Sequence, residues 1–175
     1  LCGHATLAAA AVLFDAGAVA GGEARFDTRS GRLTVTRLND GRLAMDFPGV
    51  PFRPGRAEPA IEAALGAAVL EVFEVEQIHG ARYLMVLQGG EADVAALQPD
   101  LAALKHAGVN LIVTAPGSRS DFVSRFFAPA VGVDEDPVTG SAHCTLGPFW
   151  AERLGKTHLT ARQIGPRPGA LEVEA

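Results

Sequence analysis

Apolar positions recur with helical spacing in two places and alternate like strands between them. Residues 5–16 place Leu7, Ala11 and Phe14 on one face, with alanines and a valine on the others. A helix apolar nearly all round is expected to be buried. Gly17 and the Gly21-Gly22 pair end it, and residues 23–28 and 32–38 then read as strands about Ser30-Gly31. Asn39-Asp40-Gly41 is a hairpin signal leading to a strand over 42–47. Residues 58–65 predict a short helix, and 69–75 and 82–87 predict strands. Residues 91–106 read as helical with an interruption at Pro99-Asp100, followed by strands over 109–115 and 121–127. A second apolar helix runs from the loop at 135–143 to Leu154, and Pro148 within it should kink or restart it. Residues 158–164 and 170–174 complete the pattern as strands about a Pro/Gly turn.

Residues 48–59 hold Pro48, Pro51, Pro54 and Pro59 among glycines and arginines, and 51–59 is the expected linker. Residues 1–50 then belong to one lobe and 60–175 to a second. The lobes share an order. Cys2-Gly3-His4-Ala5 leads to a helix, a glycine, a strand, a glycine turn and a strand; Thr139-Gly140-Ser141-Ala142 does the same, with Gly155 after its helix. The copies are unequal. The second has strands and short helices from residue 69 to its glycine, whereas the first has almost nothing before its own. A strand-rich segment of similar size is therefore expected upstream of Leu1, and the second copy is expected to lack the counterpart of the 42–47 strand.

With 175 residues, 48% hydrophobic and 20% charged, the composition is that of a globular protein able to bury a core. The net charge of −5 gives no basic footprint for nucleic acid. Two cysteines without a CxxC exclude a disulfide framework and point to a reduced, cytoplasmic setting. His4 and Asp15 interrupt the apolar start, which lacks a basic flank, so neither a signal peptide nor a membrane span is expected there. His79, His106 and His158 show no metal-ligand spacing.

The most reactive-looking stretch is Glu135-Asp136-Pro137-Val138-Thr139-Gly140-Ser141-Ala142-His143. Pro137 disfavours helix at Asp136. Gly140 permits a positive φ or a close backbone approach, and Ser141 is the expected N-cap or first-turn residue. The loop thus delivers a carboxylate, two hydroxyls and an imidazole to the positive end of a helix, whose free N–H groups favour an anion such as a substrate carboxylate.

These residues carry a resemblance. Leu1-Cys2-Gly3-His4-Ala5-Thr6-Leu7 and the Glu135–His143 stretch, with Arg125-Phe126-Phe127-Ala128-Pro129 and Phe149-Trp150, resemble the phenazine-biosynthesis PhzF-like family, related in fold to diaminopimelate epimerase. The resemblance implies an α+β fold of two pseudo-repeated lobes, each a rolled antiparallel sheet around a central helix. It places the active site in a cleft where the two helix N-termini converge, with no metal and no organic cofactor. It implies isomerases or epimerases that move a proton on small amino or hydroxy acids, and a homodimer. By the family pattern Asp136, His4 and Ser141 are the catalytic residues. Gly3, Thr139, Gly140 and Cys2 surround a small carboxylate-bearing substrate. The family's principal acid/base glutamate lies in an N-terminal region that this chain does not contain. Cys2 matches one thiol of the epimerase relatives, but Thr139 stands at the second thiol position, and a hydroxyl is a far weaker acid than a thiol. Two alternatives stay open: a non-catalytic or truncated ligand-binding member, and a thiol-dependent racemase or dehydratase using Cys2.

Overall fold

A computed structural model describes residues 3–28, 31–76 and 80–175. The chain divides into two units, Leu1–Pro48 and Gly49–Ala175. The first opens with α1 (Gly3–Asp15). Gly17, at φ +64°, closes it by returning its N–H to Phe14 O at 3.1 Å. Three antiparallel strands follow in the order β1 (Glu23–Thr28), β2 (Gly31–Arg37) and β3 (Leu43–Met45). The β2–β3 hairpin turns where the sequence predicts: Gly41 sits at φ +87° and the Leu38 N–H donates to Arg42 O at 2.8 Å. Ala10 and Phe14 of α1 pack with Ala24 and Val35. The remaining described positions of α1 are not buried, and Val12 is 68% exposed. The expectation of a helix buried all round is therefore not met within this unit, because three strands cover one side of it.

The second unit is built on an eight-stranded sheet. Its elements are β4 (Phe52–Pro54), α2 (Pro59–Leu65), β5 (Glu71–Val75), β6 (Arg82–Leu87), α3 (Glu91–Ala96), α4 (Leu101–His106), β7 (Val109–Pro116), β8 (Phe122–Ala128), β9 (Val133–Asp136), α5 (Gly140–Leu154), β10 (His158–Gln163) and β11 (Gly169–Glu174). The strand order is β11-β10-β8-β7-β6-β5-β4, with β9 also paired to β8. Pairing is antiparallel except at β6–β7 and β8–β10. Each parallel pair follows from a helical crossover, α3–α4 in one case and α5 in the other. Within the proline-rich stretch that composition marks as linker, Phe52–Pro54 pairs with β5 as an edge strand, a position that tolerates Pro54.

The central strands are apolar without alternation because both faces are covered. Val123 and Phe127 of β8 join Leu84, Val86, Leu111, Leu65 and Leu104 on the face lined by α2 and α4. Phe122 and Phe126 join Tyr83, Met85, Leu146, Phe149 and Trp150 on the face lined by α5. Trp150 stacks on Phe122 at 5.7 Å and donates from Nε1 to Thr114 Oγ1 at 3.0 Å. The central helix thus has a polar anchor within an apolar interface.

α5 runs as one helix through Pro148, so it does not restart there. Proline removes the N–H that would bond Cys144 O. That carbonyl instead accepts from Val50 N–H at 2.9 Å, and a Cβ at Gly49 would meet Pro148 Cγ at 3.8 Å. The order read from sequence is also present in three dimensions. α5, Gly155 and the β10–β11 hairpin repeat α1, Gly17 and the β1–β2 hairpin, each pair antiparallel. The molecule is an α+β protein of two pseudo-repeated lobes.

Candidate functional site

Asp136 is the last residue of β9, opposite Phe126 of β8. Thr139 follows at the N-cap position of α5, extended at φ −114° and ψ 97°. Of the two places the sequence allows Ser141, N-cap or first turn, it takes the second: the chain turns helical one residue after Thr139. Thr139 does not cap with its side chain. Its hydroxyl donates to Asp136 Oδ2 at 2.6 Å. Gly140 opens the helix without a positive φ.

Gln163, at the end of β10 and 1% exposed, reaches this loop from the neighbouring strand. Its Oε1 accepts from Thr139 N–H at 2.8 Å. Its Nε2 donates to Thr139 Oγ1 at 3.1 Å and to the Asp136 carbonyl. The amide orientation follows from the partners, since an N–H can only donate and a carbonyl can only accept. Thr139 O accepts from His143 Nδ1 at 2.8 Å. His143 is 5% exposed, and burial holds its pKa below the ordinary histidine range while the Thr139 carbonyl opposes that shift. It is therefore neutral at pH 7 with the proton on Nδ1. Its Nε2 is buried without a partner, and the imidazole and Phe122 rings lie 5.9 Å apart, centroid to centroid.

A second clamp holds Glu135, the residue before Asp136. Arg125, on β8, binds Glu135 through Nε to Oε1 and Nη2 to Oε2, both at 2.8 Å. Its Nη1 donates to Leu97 O at 2.8 Å and Val94 O at 3.3 Å, and its guanidinium lies 4.7 Å from the Phe127 ring centroid. The turn between β10 and β11 closes over this loop. A Cβ at Gly165 would overlap the Glu135 carboxylate, and one at Gly169 would overlap Val138.

The arrangement fixes one oxygen of Asp136 and leaves Oδ1 with no hydrogen bond among the described residues. The Ser141 hydroxyl is likewise unengaged there. Thr139, expected to contact substrate, has its hydroxyl hydrogen committed to Asp136 and its oxygen to Gln163. In the first unit, His4 is exposed in the first turn of α1. A Cβ on Gly3 would meet the Phe47 ring at 3.0 Å, so that position favours glycine. Cys2 lies outside the described residues. A groove of about 510 Å³ in the second unit is lined by residues of α2, α3 and Gln88, and none of Asp136, Thr139 or Ser141 belongs to it. Among the described residues no group of three or more His, Cys, Asp or Glu could hold a metal ion, and no helix is long and apolar enough to cross a membrane.

The family model described as phenazine biosynthesis-like protein, PhzC-PhzF, matches residues 1–175. The chain belongs to this family. Two Pseudomonas aeruginosa relatives, each named an uncharacterized isomerase, are 50% identical over 175 and 173 residues, or 99% and 98% of this chain. The chain spans 65% and 64% of their lengths. A PhzF-family phenazine biosynthesis protein from Enterococcus faecalis superposes with a TM-score of 0.90 at 42% identity, over 100% of this chain and 65% of that one. The PhzF-like resemblance and the α+β fold read from the two motifs thus hold. Sequence reasoning missed Gln163. A lone glutamine ending a strand, 24 residues from Thr139, carries no motif, and only the parallel β8–β10 pairing brings it to the loop.

Proposed function

We propose that this chain forms part of an isomerase that moves a proton on a small carboxylate-bearing metabolite without metal or organic cofactor. In this reading Asp136 exchanges the proton, while Ser141 and the first-turn N–H groups of α5 hold the substrate carboxylate. His4 and Gly3 serve from the start of α1, Cys2 precedes them in the sequence as a further substrate-binding residue, and Gly140 keeps the approach to α5 open. Supporting it are the names of the relatives and one observation above the rest: the half-buried Asp136 carboxylate is fixed at 2.6 Å by Thr139, with its second oxygen unengaged, at the mouth of a 15-residue helix lacking a side-chain cap. Removing a proton next to a carboxylate develops enolate-like charge. Oriented N–H groups stabilise that charge without reorganising, an effect typically of 2.7–4 kcal/mol per donor. A carboxylate base adds about 10²–10⁴-fold when its geometry is set beforehand.

The test is a heavy-water exchange screen of small amino and hydroxy acids, with the longest natural polypeptide containing this sequence. Deuterium should enter at a carbon next to the carboxylate, and Asp136→Ala should lower the rate by about 10²-fold or more while leaving folding intact. Binding without exchange would favour a ligand-binding protein. Full activity after alkylation of Cys2 would remove the thiol-dependent reading, and unchanged exchange in D136A would remove Asp136 from the mechanism.

A further inference from the structure

We propose that Gln163 is a positioning residue for the proton-handling site, setting the direction of the Thr139 hydroxyl and through it the orientation of Asp136. The inference rests on the reading of Asp136 as the group that exchanges the proton. Three bonds from one carboxamide reach two residues of the loop: Thr139 N–H and Oγ1, and the Asp136 carbonyl. Their donor and acceptor characters admit one arrangement. Thr139 N–H requires an acceptor, so Oε1 faces it, and Nε2 is left for the Asp136 carbonyl and Thr139 Oγ1.

Because Nε2 donates to Thr139 Oγ1, the hydroxyl hydrogen has to point elsewhere. The acceptor it finds is Asp136 Oδ2 at 2.6 Å. The hydrogen bonds therefore run in one sense, from Gln163 to Thr139 to Asp136. Burial of Gln163 (1% exposed) and Thr139 (5% exposed) keeps water from substituting for either bond. His143 holds the Thr139 carbonyl, so the backbone of Thr139 is bonded on both sides, through its N–H to Gln163 and through its C=O to His143. Oδ2 is occupied, and Oδ1 is the oxygen left for a substrate proton.

Gln163→Glu tests the sense of the chain without changing its shape. An ionised carboxylate there still accepts from Thr139 N–H, but it draws the Thr139 hydroxyl hydrogen to itself and loses both donations. When that new carboxyl group is protonated, a donor returns. In the exchange assay, with the acid identified by the heavy-water screen, Q163E should lower kcat by about tenfold or more at neutral pH, with KM changed less than about threefold. Part of the loss should be recovered relative to wild type as the pH falls from alkaline values through the pKa of the new carboxyl group, which burial holds above the ordinary glutamate range. Gln163→Met removes the same bonds with no group to protonate, so it should lose kcat and recover nothing. Equal behaviour of the two variants at all pH values, a change in KM alone, or unchanged kcat would overturn the proposal.

A substrate-free measurement stands beside the kinetics. In the wild-type chain the Thr139 hydroxyl proton and the Gln163 carboxamide protons should exchange with water at least about 100-fold more slowly than exposed ones, as followed by NMR. Exchange at the exposed rate would overturn the proposal even if both variants failed to fold. Absence of proton exchange on every acid tested in wild type would instead count against the reading of the site, and would leave this NMR result to decide the clamp.

Discussion

Arg125 and Glu135 face each other across β8 and β9 in a bidentate ion pair, side chains 8% and 16% exposed, one residue before Asp136. A buried pair adds little net stability over an apolar pair, but breaking it strands a charge in the interior. Arg125 also serves the Val94 and Leu97 carbonyls at the end of α3; its loss strips the Glu135 carboxylate and Leu97 O of this donor, while Val94 O keeps the Leu97 N–H at 3.4 Å. Arg125→Met should therefore destabilise the second unit by about 3–5 kcal/mol, and the double variant R125M/E135L by clearly less. Urea titration followed by the single tryptophan, Trp150, reads both. Equal losses for the single and double variants would assign the effect to packing alone.

Most of the fold was legible in the chain because its signals are local. The strand over Glu23–Thr28, the hairpin at Asn39-Asp40-Gly41 and the break at Pro99-Asp100 each rest on neighbouring residues. β4 was not legible, since Phe52–Pro54 forms a strand only by pairing with β5. The continuity of α5 depends likewise on Val50, far upstream of Pro148. At the site, the motif exposed Asp136, Thr139 and Ser141, yet it left open whether Ser141 caps the helix or sits in its first turn and said nothing of Gln163. The partners of the Thr139 hydroxyl were hidden for the same reason. Which way a hydroxyl points is set by its partners in space, and those lie on another strand.

Asp121 supplies a pH signature. Its carboxylate pairs with Lys156, accepts from Thr160 N–H at 2.8 Å and from Thr160 Oγ1 at 3.0 Å, and its pKa is lowered to about 2. The Lys156 hydrogen bond is the largest cause. A folded-state pKa below the unfolded value contributes stability that is present above the unfolded value, 3.8, and lost as pH falls through about 2. Asp121→Asn should thus cost about 1 kcal/mol at neutral pH, allowing for screening at this partly accessible pair. The difference from wild type should close between pH 4 and about 2 in urea titrations at a series of pH values. A gap independent of pH would deny the carboxylate this role.

Cys144 lies on α5 among core residues, 8% exposed, and burial pushes its thiol up to about 11. The thiolate is the reactive form. Labelling with iodoacetamide at pH 8 should therefore be about 100-fold slower at Cys144 in the folded chain than in urea, as read by mass spectrometry of the labelled peptide. Rapid labelling of the folded chain at this position would show that α5 opens locally. The experiment also isolates Cys2, the chain's other cysteine, whose labelling can then be scored separately against activity.

The bond from Val50 N–H to Cys144 O at 2.9 Å exists because Pro148 supplies no competing donor. Val50→Pro removes the donor and leaves a carbonyl in a buried helix segment without a partner, at a cost of about 1–3 kcal/mol. Pro148→Ala restores a helical N–H aimed at the same oxygen. In that background V50P should cost less, because the helix now satisfies the carbonyl that Val50 abandons. The double-mutant cycle should show a coupling of about 1 kcal/mol, with V50P/P148A more stable than the sum of the single changes implies. Strict additivity would mean that the Val50 contact and the proline are independent. The uninterrupted course of α5 through Pro148, which carries Thr139 and Ser141 at its start, would then owe nothing to the segment that packs beside it.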